Sequence, residues 1–255
     1  ASKSVVPAEV LEPAKEGFAW LAAATGAARD LDVYLLEWKR YTDPLGVTAA
    51  RALDPVRDVL ARHHADAHVA LGQVLRSERA GALIAEWREW LGEPVGNASL
   101  PRRAGHPLGT EVAKRIVRAH DALIDEGRLI GPDTPADDVH DLRKDAKKLR
   151  YLIECFSSML PAKPRKQYVN KLKALQENLG EHQDAEVHIA LLRSLTPDLV
   201  SADADANTMV AVGELIQRLE QTRLGARTEF AERFADYDSA NTRRSFDALI
   251  EAISA

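Results

Sequence analysis

Long stretches rich in Ala, Leu, Glu, Lys and Arg run along this chain, and short polar turns separate them. These residues are good helix formers. Runs in which β-branched residues alternate strictly with polar ones, which would indicate half-buried strands, are missing from the sequence. The pattern therefore predicts an all-α protein.

Proline and glycine residues divide this pattern into helices whose connections are short enough for antiparallel bundle packing. We place helix breaks at Gly26 and just after Leu179, and Asp54-Pro55 is typical of a cap followed by proline at the first helical position. The predicted helices span 8–24, 27–41, 54–76, 78–91, 108–126, 136–160, 164–179, 184–195, 206–233 and 240–253. The one long helix-poor stretch in the sequence, 92–107, separates an N-terminal half, 1–95, from a C-terminal half, 105–255.

One internal similarity relates the two halves. The sequence Gly26-Ala-Ala-Arg-Asp-Leu-Asp-Val33 matches Gly180-Glu-His-Gln-Asp-Ala-Glu-Val187 at the glycine, an aspartate, an acidic residue and the valine. Each segment follows one predicted amphipathic helix and precedes another. Because their locations are equivalent, we interpret the two segments as parts of a repeat.

Charge is distributed unevenly along the chain. The 255 residues carry a net charge of −5, but 139–173 holds ten Lys or Arg and three acidic residues, a local charge of +7, which leaves −12 for the remainder. A basic island on an acidic body indicates a local polyanion site and disfavours general nucleic-acid binding. The sequence has a single cysteine, Cys155, and neither a long apolar run nor a signal-peptide pattern. These features predict a cytoplasmic protein with no membrane partner.

The basic island begins with a helix whose two sides differ in character. At about 100° per residue, one stripe is apolar and consists of Val139, Leu142, Ala146, Leu149, Ile153 and Phe156. The opposite side carries His140, Arg143, Lys144, Lys147 and Tyr151, and Arg150 lies at the border. Like charges one turn apart repel each other, and phosphate groups relieve that repulsion through charge-assisted hydrogen bonds. The helix is therefore predicted to bind a multivalent anion.

Other interpretations of this helix remain open. Its basic side is also typical of a solvated surface, and His140 beside Arg143 and Lys144 fits a histidine phosphotransfer module. A scaffold that docks an acidic protein is a third interpretation. A phosphoryl-transfer enzyme is not indicated, because the sequence has neither a Gly-rich phosphate loop nor an alternating Glu-x-Glu-x-Lys pattern, and no cofactor is implied.

Two smaller groups of side chains are candidate sites. A shorter basic stripe on the helix 108–126 consists of Lys114, Arg115, Arg118 and His120. His64 and His68 lie one helical turn apart, but a zinc site needs a third ligand and the spacing supplies none. The sequence therefore predicts no metal site.

Three motifs combine basic, apolar and glycine residues at fixed spacings. The first is His140-x-x-Arg143-x-x-x-Lys147-Lys148-x-Arg150-Tyr151, followed by Glu154 and Phe156. The second is Leu175-Gln176-x-x-Leu179-Gly180-x-x-x-Asp184. The third, in the first repeat, is Leu21-x-x-x-x-Gly26-Ala-x-Arg29-Asp30-Leu-Asp32-Val33. Together these motifs resemble the CHAD family, the conserved-histidine α-helical domain. The resemblance covers nearly the whole chain and accounts for the internal similarity.

The resemblance implies two pseudo-symmetric antiparallel helical bundles that flank a basic groove for inorganic polyphosphate. It implies non-catalytic binding, association with polyphosphate granules, and presentation of polyphosphate to a fused or partner triphosphatase of the CYTH type. The groove candidates carried over are His140, Arg143, Lys144, Lys147, Lys148, Arg150 and Tyr151, joined by Lys171, His182, Lys114 and Arg118. The repeat offset of 154 residues places a counterpart of His140 at about −14, so the first repeat's own His-x-x-Arg helix is not in this sequence.

Overall fold

A computed structural model describes residues 6–93 and 104–254, and in these ranges all regular structure is helical. The all-α prediction is confirmed. Part of the predicted helix-poor stretch, 94–103, lies outside the described residues. None of the described helices combines the length and apolar character needed to cross a membrane. The α-helices are α1 Ala8–Leu36, α2 Trp38–Thr42, α3 Val47–Ala52, α4 Asp54–Leu75, α5 Glu78–Gly92, α6 Leu108–Gly127, α7 Ala136–Cys155, α8 Ala162–Ser194, α9 Thr196–Ser201, α10 Ala206–Tyr237 and α11 Ala240–Ser254, with short 3-10 turns at Asp43–Leu45 and Ser157–Met159.

The described residues form two compact units. The first comprises those within Ala1–Gly105 together with Leu191–Ile216, and the second comprises His106–Ala190 and the residues from Gln217 onward. The sequence pattern had grouped Leu191–Ile216 with the C-terminal half. It lies in the first unit because α9 contacts α4, where Asp198 Oδ2 is 2.9 Å from His63 Nε2.

In the first unit, α1 packs along α4 and also contacts α5. Leu31 and Tyr34 on α1 are buried, as are Val56 and Leu60 on α4. The Tyr34 ring meets Trp38 edge to face, with centroids 5.8 Å apart. These apolar contacts hold α1 and α4 side by side, so that polar residues next to the buried stripe of one helix face those of the other.

In the second unit, α6, α7, α8, α10 and α11 enclose one hydrophobic core. The predicted apolar stripe of α7 is buried from Val139 to Ile153. Leu172 and Leu175 on α8 and Leu249 on α11 have no exposed surface. Since α7 gives its apolar stripe to this core, its basic residues are held on the outer side of the unit.

Both predicted breaks at glycine are wrong. Gly26 lies inside α1 and Gly180 inside α8, and each helix continues through its glycine. A glycine in a helix interior costs only about 1 kcal/mol relative to alanine. Burial of Leu31 and Tyr34 beyond Gly26, and of Ala185 and residues after it beyond Gly180, stabilises the continuous helices by more than that. The two similar segments thus both lie inside long helices, and neither forms a junction between helices.

Several helix ends also differ from the prediction. The helix predicted over 136–160 ends at Cys155 and is followed by the turn Ser157–Met159, because Phe156 leaves helical geometry at φ −101° and ψ 25°. The start of α5 follows the expected chemistry, since the Ser77 hydroxyl accepts a hydrogen bond from the Ala80 N–H at 3.3 Å. Asp54-Pro55 opens α4 as predicted, although Asp54 is its first residue rather than its cap.

Candidate functional site

The basic side of α7 is divided into two flanks by the helices beside it. On the α8 flank, His140 Nδ1 lies 2.7 Å from Gln183 Oε1, and an Arg143 terminal nitrogen lies 3.4 Å from Asp184 Oδ1. Gly180 lies beside this contact, since a Cβ built on it would come 4.0 Å from the Arg143 guanidinium, an ordinary van der Waals distance. Gln183 and Asp184, which follow Gly180 on α8, therefore contact the first two basic residues of α7.

We define the α7–α8 strip as His140, Arg143, Lys147 and Arg150, which follow one another at spacings of three and four residues and so share a helix face. All four are half-buried. Among the described residues, Lys147 has no acidic partner, and Arg150 Nε is 3.8 Å from Glu154 Oε1, beyond hydrogen-bonding distance. Within the described residues, the strip thus holds four nitrogen-bearing side chains whose recorded acidic partners are Asp184 and Glu154.

A buried amide accompanies the strip on α8. Gln176 lies one turn before Gly180, on the same face of α8, and neither its Nε2 nor its Oε1 has a hydrogen-bond partner among the described residues. Arg150 Nε is likewise buried without one. Unsatisfied buried polar atoms are rare in folded proteins and frequently mark a place where a ligand or water binds. Gln176 belongs to the second sequence motif, but its spacing alone does not assign it to the site.

On the other flank of α7, basic residues are matched by acids. Lys144 Nζ is 2.8 Å from Asp141 Oδ1, and Lys148 Nζ is 3.1 Å from Asp145 Oδ1. A cavity of about 600 Å³ opens beside them, lined by Asp141, Lys144 and Asp145 and by Glu126 of α6.

The electrostatics of this second flank oppose anion binding. Desolvation and the neighbouring Asp145 carboxyl raise the pKa of Glu126, which shows that carboxylates crowd each other at the cavity wall. The hydrogen bond from Lys144 lowers the pKa of Asp141, so that carboxylate stays ionised beside its lysine. Lys144 and Lys148 were predicted to be site residues together with the strip, and the structure places them on this acidic flank instead.

Lys171 and His182 lie on the opposite side of α8 from the strip. Nine residues separate Lys171 from Gly180, a rotation of about 180° around the helix. Lys171 Nζ is 2.7 Å from Asp236 Oδ1 of α10, and His182 is 5% exposed. Burial lowers the pKa of His182. The structure therefore does not bring these two predicted residues to the α7–α8 strip.

The remaining predicted residues are dispersed. Tyr151 is 51% exposed, and its ring centroid is 5.3 Å from the Arg150 guanidinium carbon, so it borders the strip. Lys114 Nζ is 3.6 Å from Glu111 Oε1 on α6, and Arg118 is exposed on the same helix. No described contact joins Lys114 or Arg118 to the basic residues of α7.

A second run of basic residues, at the start of α8, also lies apart from the strip. Lys163 and Lys166 are exposed, and Arg165 donates a hydrogen bond to the Ser157 carbonyl, which fixes the turn between α7 and α8. Of this run, Arg165 therefore has a structural role in the α7–α8 hairpin.

His120, expected as part of the short basic stripe, is a core residue. Its Nδ1 lies 2.8 Å from the Tyr168 hydroxyl and 3.3 Å from the Tyr237 hydroxyl, and its ring stacks on Phe246 with centroids 3.9 Å apart. Burial lowers the pKa of His120 and raises the pKa of Tyr168 and Tyr237. All three groups are thus held in their neutral forms.

This burial makes the stability of the protein sensitive to acid. As the pH falls below about 6.5, His120 of the unfolded chain gains a proton while the folded protein resists it, so the free energy of unfolding decreases until the lower folded pKa is reached. We expect the His120→Gln variant to lose less stability than the wild type between about pH 7.5 and pH 5.5, as measured by urea unfolding. Equal losses in the two proteins would contradict this assignment.

Comparisons with known proteins identify the family and the fold of the chain. The model of the CHAD domain family matches residues 1–193. A crystal structure of the CHAD domain from the plant Ricinus communis aligns with a TM-score of 0.69 at 23% identity, covering 90% of this chain and 72% of that one. That likeness concerns the fold alone. The search of curated proteins gives no match. Since the family model covers well over half of the residues, the chain belongs to the CHAD family.

Proposed function

We propose that this protein binds inorganic polyphosphate without catalysing a reaction, and that the α7–α8 strip is the binding surface. The observation that carries the proposal is the alignment of four nitrogen-bearing side chains on one helix face, with Lys147 lacking an acidic partner among the described residues. From His140 to Arg150 the strip is about 15 Å long, at 1.5 Å per residue. A surface of that length suits a run of phosphates better than a single phosphoryl group.

The contacts within the strip favour exchange for phosphate. The Arg143–Asp184 pair is 3.4 Å long and its carboxylate is 51% exposed, and exposed pairs of this kind contribute about 0–1 kcal/mol. Phosphate oxygens form stronger, bidentate hydrogen bonds with a guanidinium than a loosely held carboxylate does. A polyphosphate chain is therefore expected to replace Asp184 as the partner of Arg143 at little cost in stability.

The family assignment supports the same ligand, because CHAD domains are associated with polyphosphate-related proteins. We include in the proposal a location at cytoplasmic polyphosphate granules and a fused or partner triphosphatase to which bound polyphosphate is presented. The negative charge of −12 on residues outside 139–173 confines favourable polyanion binding to the basic island and disfavours general coating of nucleic acid.

The direct test is a titration of the protein with long-chain polyphosphate at several salt concentrations, with duplex DNA and heparin as controls. Four neutralised phosphates predict that log K falls with log salt with a slope of about −3. We expect polyphosphate to bind at least about tenfold more tightly than DNA at the same salt concentration. Equal affinities for all three polyanions would indicate unspecific charge attraction and would contradict the proposal.

A further inference from the structure

Three metal-ligating side chains meet in the first unit, away from the α7–α8 strip. Asp32 lies on α1, and His64 and His68 lie one turn apart on α4. Asp32 Oδ1 is 2.6 Å from His64 Nε2 and 2.9 Å from His68 Nε2. The two imidazole rings have centroids 4.4 Å apart. The third ligand that the sequence spacing did not supply therefore comes from the neighbouring helix.

The packing of the two helices produces this convergence. The buried Leu31 next to Asp32 faces α4, and the buried Leu60 lies one turn before His64. Side chains at positions i and i+4 lie one above the other on a helix, so both Nε2 atoms point toward the same place on α1. The position of the three ligands is thus fixed by rigid elements rather than by loops.

The geometry is close to that of a metal site. The three ligand atoms lie within 4.8 Å of one another. Ligand atoms around a tetrahedral zinc ion are about 3.3 Å apart, as follows from metal–ligand bonds of about 2.0–2.1 Å. Shifts of a few tenths of an ångström in partly exposed side chains would open the 2.6 and 2.9 Å contacts to that spacing.

We propose that Asp32, His64 and His68 form an open binding site for a first-row transition-metal dication of the zinc type. Two imidazoles and one carboxylate suit zinc, nickel or copper, whereas magnesium and calcium require mainly oxygen ligands. The side chains of the three residues are 49%, 33% and 44% exposed, which leaves room for water or another ligand at the remaining coordination positions. Such a site joins α1 to α4.

Hydrogen bonds already bring the three ligands together. The Asp32 carboxylate accepts hydrogen bonds from His64 and His68, so the three ligand atoms converge on one another. Metal binding requires an ionised carboxylate and neutral imidazoles, so a bound ion would replace the two hydrogen bonds between Asp32 and the histidines.

The test is a calorimetric titration of the metal-stripped protein with Zn²⁺ in buffer free of phosphate, on protein that carries no histidine tag. We expect one zinc ion to bind, and we expect His64→Ala, His68→Ala and Asp32→Asn each to weaken binding at least about tenfold. His63→Ala is the matched control, because His63 is the adjacent histidine on α4 but pairs with Asp198 instead. Its zinc affinity is expected to stay within about twofold of the wild type.

Cobalt spectroscopy separates a metal site from a merely structural cluster. Co²⁺ bound to the wild type is expected to give visible d–d absorption bands, which the His64→Ala and His68→Ala variants lose while circular dichroism shows that they remain folded. The proposal is overturned if the His64→Ala/His68→Ala double variant binds Zn²⁺ as tightly as the wild type. It is equally overturned if the wild type binds no Zn²⁺ in the titration.

Discussion

Replacing Arg143 and Lys147 with glutamine is expected to weaken polyphosphate binding at least about 100-fold. Each residue would give one or more charge-assisted hydrogen bonds, and hydrogen bonds to charged groups contribute about 1.5–3 kcal/mol. Loss of two such contributions corresponds to about two orders of magnitude or more in affinity. Fluorescence anisotropy with end-labelled polyphosphate measures the change directly. The slope of the salt dependence should become shallower by about 1.5, because two fewer phosphates are neutralised.

The matched control lies on the same helix. Lys144→Gln/Lys148→Gln removes the same amount of charge from α7, but these lysines lie on the acidic flank, where each is paired with an acid three residues before it. We expect this control to weaken binding less than about fivefold, through the loss of long-range attraction alone. If the two double variants bind equally weakly, total charge rather than the α7–α8 strip determines affinity. Neither variant should unfold the protein, since every substituted side chain is at least partly exposed and ion pairs at such positions contribute little to stability.

The fold was largely predictable because its helices follow local rules. The apolar stripe of α7, from Val139 to Ile153, was read from periodicity alone and is buried in the structure. Boundaries with a strong local signal, such as Asp54-Pro55 and the start of α6 at Leu108, were also placed closely. Gly26 and Gly180 were placed wrongly because a propensity cost of about 1 kcal/mol cannot be weighed against tertiary packing before that packing is known.

The site was only half predictable, because a helical projection describes one helix and not its neighbours. The helical projection places Lys144 and Lys147 on one basic side of α7. The structure separates them, since α8 borders the flank of Arg143 and the acids near Glu126 border that of Lys144. Lys171 shows the same limit. A predicted helix break at Gly180 leaves undetermined the angle around α8 between Lys171 and that glycine.

Contacts between residues distant in sequence were beyond the reach of spacing rules. His120 looked like part of a basic stripe, yet its partners Tyr168 and Tyr237 lie on two other helices. The spacing of His64 and His68 gives no third ligand, whereas in the structure Asp32 of α1 lies beside both histidines. A continuous helix through Gly180 would have revealed Gln176 and Gln183, because 176, 180 and 183 then share one face.

The second large effect is expected from the smallest change in the core. Gly127, the last residue of α6, is buried against Phe234 of α10, and a Cβ built on it would overlap a carbon of the Phe234 ring. Gly127→Ala therefore forces the aromatic ring or the helix to move, and overpacking of this kind costs about 1–3 kcal/mol or more. We expect the free energy of unfolding to fall by about 3 kcal/mol in urea denaturation. Gly225→Ala in α10, where a Cβ meets nothing within 4 Å, should instead stabilise by about 1 kcal/mol.

A double-mutant cycle shows whether the ring is the cause. Phe234→Leu removes the ring atoms nearest to Gly127 and costs stability by itself, because Phe234 belongs to the core of the second unit. In the Gly127→Ala/Phe234→Leu protein, the added methyl group occupies space that the ring has left. The combined loss should therefore be smaller than the sum of the two single losses by about 1–3 kcal/mol. Simple additivity would mean that the clash is relieved elsewhere, at no cost to Phe234, and that the end of α6 is more adaptable than its buried contacts imply.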